Sequence, residues 1–118
     1  MGYPRLLDGN GQCIPGIGTS EAPWLNDLAD VLAAAMKTAS ENATQAGAPT
    51  WFSDPRAKFA GEAVCGNPET IHGIVLDKTP DDDLSPTSPN SPQSFHPKIE
   101  GTAHYSAALN ETLRQMGL

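Results

Sequence analysis

An α/β chain is what this sequence predicts, on three observations. A short apolar tail, with Tyr3, Leu6 and Leu7, occupies residues 1–7 and runs into a glycine-rich loop. An amphipathic pattern with helical spacing fills residues 21–46. A short apolar run, Thr50-Trp51-Phe52-Ser53, follows it, and Asp54-Pro55 turns the chain away. Strand, crossover helix and strand in that order make a right-handed βαβ unit of a parallel sheet. The first strand opens at Met1 with almost none of its length in hand, which points to a larger fold cut into at that end.

The bounds are those of one small domain. The chain has 118 residues and buries roughly two-thirds of its unfolded surface on folding. Its net charge of −7 leaves no basic face to neutralise phosphates, so nucleic acid is not an expected partner, and an anionic membrane surface is disfavoured for the same reason. No apolar run has the length of a membrane span. The first residues carry neither a charged n-region nor an apolar core, so no signal peptide is visible.

Taken in order, residues 8–21 hold four glycines and read as loop. Gly16-Ile17-Gly18-Thr19-Ser20 lacks the Gly-Lys-Ser/Thr ending of a phosphate loop. The long helix has Ser20 as its N-cap, Pro23 in its first turn and early acids, and Gly47 with Pro49 ends it. Its buried stripe is expected to be Leu25, Leu28, Leu32, Ala35, Met36, Ala39 and Ala43, and Trp24 is placed to close the first turn. Trp51 and Phe52 are assigned to the core. Residues 55–73 read as loop anchored by Phe59 and Val64, and Ile74-Val75-Leu76 as an edge strand or packed loop. Residues 79–93 are rich in Pro, Ser and Asp and read as a flexible loop. Asp81, Asp82 and Asp83 within it are read as a solvated acidic loop, because three adjacent carboxylates do not converge on one calcium ion unaided. A final helix spans about 99–116, with Tyr105, Leu109, Leu113 and Met116 expected to be buried.

Two cysteines, Cys13 and Cys65, each sit in a loop rich in Gly or Pro. A disulfide and two buried thiols remain open readings at this level; a bridge would stabilise by about 4 kcal/mol on the chain-entropy model. With no CxxC or HxxxH partner they do not make a zinc site, and no cofactor is expected.

The chemistry concentrates in Ser94-Phe95-His96-Pro97-Lys98-Ile99-Glu100-Gly101, with His104-Tyr105 following. Pro92 and Pro97 restrict the backbone on both sides of an imidazole that stands just before a helix. A loop gives that imidazole access and the helix gives it rigidity, which suits a general base. The neighbouring polar residues have plainer readings. His72 reads as a surface residue, His104 as half-exposed and not catalytic, and Glu62 as a solvated carboxylate or a substrate-rim group. Asn42-Ala43-Thr44 and Asn110-Glu111-Thr112 fit the glycosylation pattern but fall in predicted helices.

Four pieces in this order resemble the C-terminal part of an SGNH (GDSL-type) hydrolase, of the secreted actinobacterial esterase and lipase kind. They are Gly2-Tyr3-Pro4-Arg5-Leu6, Trp24-Leu25-Asn26-Asp27-Leu28, Phe59-Ala60-Gly61 with Cys65, and Ser94-Phe95-His96-Pro97 with Gly101 and Tyr105. The resemblance implies a three-layer α/β/α flavodoxin-like fold, of which residues 1–118 would be the C-terminal portion. It implies a carboxylic ester hydrolase acting on an ester or lipid substrate, secreted, with His96 as the catalytic base and Cys13 bridged to Cys65. Relatives often carry Asp three residues before that histidine; here the position is Gln93, which the resemblance leaves as a weak support through its backbone carbonyl.

The departures limit the activity. No Gly-Asp-Ser occurs anywhere in the chain, and the oxyanion-hole glycine and asparagine blocks are absent too. A histidine base without a nucleophile cannot form an acyl-enzyme, and the oxyanion donors are usually the largest stabilising contribution. The expectation is therefore a chain inactive alone, completed by an N-terminal segment or self-associating. The competing expectation is a non-catalytic secreted binding module on the same scaffold. A bare apolar flank on the long helix would favour the incomplete enzyme.

Overall fold

The helices form where the periodicity places them. The computed structural model describes residues 1–9, 11–77 and 90–118. Helix α1 spans Glu21–Gln45 and helix α2 spans Ile99–Gln115, with a single 3₁₀ turn at Arg56–Lys58 between them. Both helices stop in the same way. Gly47 and Gly117 take left-handed backbone angles, with φ of 91° and 82°. Around them Ala48 N–H donates to the Ala43 carbonyl and Leu118 N–H to that of Leu113, each at 3.0 Å. These are Schellman endings, which satisfy carbonyls the last turn leaves over. Ser20 stands at the N-cap of α1 without capping it; its hydroxyl donates to the Glu21 carboxylate at 3.1 Å.

The parallel sheet is not there. Among the described residues there are no strands, only two isolated bridges, Leu7 to Val64 in parallel and Ile71 to Pro97 in antiparallel sense. The expected three-layer α/β/α flavodoxin-like architecture is therefore corrected to a small chain whose regular structure is helical. The reason is physical. An apolar run becomes a strand only when a neighbour takes up its N–H and C=O groups. For Thr50–Ser53 the main-chain pairing among the described residues is with Gly2, whose N–H donates to the Ser53 carbonyl at 2.8 Å, while the Thr44 hydroxyl takes up the N–H and C=O of Thr50. The Pro/Ser/Asp stretch expected at 79–93, with Asp81, Asp82 and Asp83, lies outside the described residues up to residue 89.

What holds the chain together is a core of loop and helix residues: Leu7, Ile14, Ala22, Phe59, Ala63, Val64 and Ile71. Cys13 and Cys65 are joined across it by a disulfide, with 5.6 Å between their Cα atoms and a sequence separation of 52. A loop of that length corresponds to about 4 kcal/mol of chain-entropy stabilisation. Asn26 of α1 clamps the first loop to the helix. Its carboxamide accepts from Leu7 N–H at 3.2 Å and donates to the Leu7 carbonyl at 2.7 Å, as a neighbouring strand would. Asp8 does the same for the loop before Val64, accepting from Gly61 and Ala63 N–H at 3.1 and 2.6 Å.

Two expected burial patterns are corrected. In α1 the buried residues are Ala22 and Ala33, while Leu28, Leu32, Ala35 and Ala39 are exposed, as is Trp24. In α2 the buried residues are Gly101, Ala108 and Thr112, while Leu109 and Met116 are exposed. Small residues let α2 come close: a Cβ on Gly101 would lie 2.3 Å from the Thr70 carbonyl oxygen. Trp51 is also exposed and Phe52 only half-buried, so neither belongs to the core.

Candidate active site

The segment entering α2 is held by backbone pairing to residues 70–75. Lys98 N–H donates to the Thr70 carbonyl and His72 N–H to that of His96, both at 2.9 Å, flanking the Ile71–Pro97 bridge. One residue further the pairing breaks step. The His72 carbonyl accepts from Phe95 N–H at 3.0 Å instead of from His96. Phe95 and His96 thus face the one residue His72, the two-against-one arrangement of a β-bulge. The displaced His96 N–H donates to the Gln93 carbonyl at 3.0 Å, closing a tight turn over residues 93–96. Phe95, third in that turn, has φ of 63°, in the left-handed region that glycine prefers. A bulky residue there is an unusual expense of conformational energy, and such residues cluster at functional sites.

The result is a histidine held by its main chain from both sides and exposed at its ring. The Gln93 backbone carbonyl accepts from the main-chain amide of His96. Residues opposite one another in an antiparallel pair project from the same face. His72 therefore shares the face of His96, and it is half-buried where His96 is exposed. Behind this face an apolar hollow of about 180 Å³ is lined by Tyr3, Leu6, Ile71, Phe95 and Tyr105, among others. Burial pushes the Tyr105 hydroxyl up from its ordinary pKa, and the charge on Tyr3 adds to this.

Two further polar groups lie nearby on the same helix and its approach. His104 Nε2 stands 2.8 Å from Glu62 Oε2, and the Phe59 ring meets the His104 ring edge-on with 5.0 Å between centroids. Glu62 is thus paired, which corrects its reading as a solvated carboxylate. His104 is half-buried as expected. Lys98 donates to Glu69 at 2.8 Å, and Cys65 N–H to the same carboxylate at 3.2 Å. Burial pushes the Glu69 pKa up, but these two donors outweigh it and hold the carboxylate below its ordinary value. That pair ties the start of α2 to the disulfide loop.

Another hollow, of about 530 Å³, lies elsewhere, beside Arg5, Asp8, Asn26, Asp30 and Arg56. Asp30 receives both guanidinium groups and falls to a pKa of about 2, through its hydrogen bonds to Arg5 and then Arg56. These charges satisfy one another, and the cluster positions α1 against the loops. Among the described residues no three of His, Cys, Asp or Glu converge as a metal site would require. The Glu62–His104 pair and the Asn26 clamp were not legible beforehand, because their partners are 42 and 19 residues apart.

No family model and no curated protein matches this sequence. Among solved structures the chain resembles a phospholipase. It is the crystal structure of phospholipase A1 from Streptomyces albidoflavus NA297, with 26% identity and a TM-score of 0.67. The match covers 94% of this chain and 40% of that one, so the chain spans well under half of the phospholipase's length.

Proposed function

We propose that this chain carries the base-bearing part of a lipolytic carboxylic ester hydrolase of the SGNH type, as the C-terminal part of one such domain. The observation that carries this reading is the similarity to a phospholipase A1 across 94% of the chain, together with an exposed, doubly pinned His96 within the matched fold. His96 is the general base. It takes the proton from a serine hydroxyl as the oxygen attacks the acyl carbon, and returns it to the departing alcohol when the tetrahedral intermediate collapses. Gln93 supports it through the main-chain turn rather than as a carboxylate partner would. The substrate is a lipid ester. Secretion fits the Cys13–Cys65 disulfide, which persists in oxidising surroundings.

The serine and oxyanion donors come from polypeptide outside these 118 residues, because no Gly-Asp-Ser is among them. The test joins this chain to the part of the Streptomyces phospholipase that has no counterpart here. The folded chimera is expected to hydrolyse phosphatidylcholine, and the 118 residues by themselves are not. A folded chimera without hydrolysis contradicts the reading. The apolar stripe that α1 turns outward is the bare flank expected of an incomplete enzyme, and it supports this reading over a non-catalytic binding module.

A further inference from the structure

Residues 62–70 close into a loop that carries Cys65. The Glu62 carbonyl accepts from both the N–H and the hydroxyl of Thr70, at 2.7 and 2.6 Å. Inside the loop, Gly66 N–H donates to the Ala63 carbonyl at 2.8 Å. The disulfide fixes it to Cys13 in the first loop of the chain. Two carboxylates reach from it to α2. Glu62 meets His104 within the helix, and Glu69 meets Lys98, which opens it.

Lys98 is an unfavourable residue in that place. N-caps favour Ser, Thr, Asp or Asn, and a cation at the positive end of a helix dipole is destabilising. Lys98 makes no side-chain cap. Its Nζ takes Glu69 Oε1 at 2.8 Å instead, while Glu69 Oε2 accepts from Cys65 N–H at 3.2 Å. As a stabiliser the ion pair counts for little, since its side chains are 30% and 31% exposed. Its value lies in where it pulls. Between Lys98 and His96 stands Pro97, whose φ is fixed by its ring. Both ends of this short unit are bonded to residues 70–72: Lys98 N–H to the Thr70 carbonyl, and the His96 carbonyl to His72 N–H. A displacement of Lys98 therefore displaces the main chain of His96.

We propose that Glu69 is a positioning residue for His96: through Lys98 it sets the imidazole relative to the loop that the disulfide holds. The inference rests on the reading of His96 as general base, and it assigns the placing of that base to a carboxylate that bonds Lys98 rather than the ring. Misplacing a reacting group by about 1 Å can cost about a hundredfold in rate. The mark of such a tie is a large effect on turnover beside a small one on stability.

The test has two arms. Amide hydrogen exchange of the whole chain reads the geometry, and phosphatidylcholine hydrolysis by the phospholipase chimera reads its consequence. Glu69→Gln leaves an acceptor for Cys65 N–H and removes the charge that holds Lys98. Lys98→Met removes the other partner, and Lys98→Arg keeps the pair. Glu62→Gln, which takes the second carboxylate from the same loop, is the reference. In the chain, Glu69→Gln and Lys98→Met are expected to speed exchange at the His72 and Lys98 amides about fivefold or more, with the Ala108 amide of α2 unchanged. In the chimera each should lower kcat about tenfold with KM within about twofold, and the two together no further than either alone. Lys98→Arg should stay within about twofold of the parent, and Glu62→Gln within about threefold. Unchanged exchange, unchanged kcat, an effect confined to KM, or a loss as large in Lys98→Arg or Glu62→Gln would each overturn the proposal. A folded parent chimera that hydrolyses nothing contradicts the reading of His96 itself, and the exchange rates then decide whether Glu69 holds the loop.

Discussion

The two helices of this chain meet their surroundings in opposite ways. Helix α1 keeps small residues, Ala22 and Ala33, against the body and turns Trp24, Leu28, Val31 and Leu32 outward. Helix α2 also keeps small residues inward, Gly101, Ala108 and Thr112, but it is tied down by specific contacts at both ends. Lys98 and Glu69 hold its start, and Lys58 bonds Glu111 near its end. Phe59 packs edge-on against His104 and Tyr105 in between. The difference teaches that helical periodicity reports an apolar stripe without saying what covers it. The helix that follows the candidate base is firmly seated; the longer one turns its large apolar residues away from the described core.

Packing should break this contrast most sharply. Gly101→Ala places a Cβ 2.3 Å from the Thr70 carbonyl and 2.9 Å from Pro97, both parts of the loop that positions His96. It is expected to cost about 3 kcal/mol in thermal or urea unfolding. Ala35→Leu on the outer stripe of α1 should change monomer stability by no more than about 0.5 kcal/mol. Equal costs would mean that α1 is covered within the chain. The disulfide is of comparable size. Replacing Cys13 and Cys65 together by serine is expected to lower stability by about 4 kcal/mol on the chain-entropy model, or about 2 if native relaxation offsets part of it, read from denaturant midpoints.

Acid should sharpen the comparison at the seat of α1. Asp30 is held at a pKa of about 2 against an ordinary 3.8 by Arg5 and then Arg56. A carboxyl depressed by folding contributes stability that is complete above its ordinary pKa and lost as pH falls through the folded value. The loss should therefore run from about pH 4 down to about pH 2. Asp30→Asn should be less stable than the parent above that window and converge with it below, as pH-dependent unfolding would show. A small gain is expected at Ser53, whose buried hydroxyl has no hydrogen-bond partner among the described residues. Ser53→Ala should raise stability by about 1 kcal/mol, the cost of burying an unpaired polar group.

Both helices were legible in the sequence almost to the residue, because apolar spacing and the stop residue Gly47 act locally. The disulfide was legible once the resemblance was recognised. The strands were misread for a reason that the same comparison explains. Trp51-Phe52 has the composition of a strand, but a strand is a pairing, and composition does not supply the partner. The stripe of α1 misled in the same way: Leu28, Leu32, Ala35 and Ala39 mark a face to be covered, and nothing within the described chain covers it. The placement of His96 in a loop just before a helix was legible from Pro92 and Pro97. The left-handed Phe95, the bulge against His72 and the Glu62–His104 pair were not, since each depends on a segment distant in sequence.

The most direct test of the functional account compares two imidazoles on one seated segment. In the phospholipase chimera, His96→Ala is set against His104→Ala, with phosphatidylcholine hydrolysis as the readout. A positioned general base contributes about 10²- to 10⁴-fold, so His96→Ala should lose about a thousandfold in kcat. His104, paired with Glu62, should cost less than about threefold on the same scale. Retention of activity without the His96 imidazole, or its loss only without that of His104, would contradict the account.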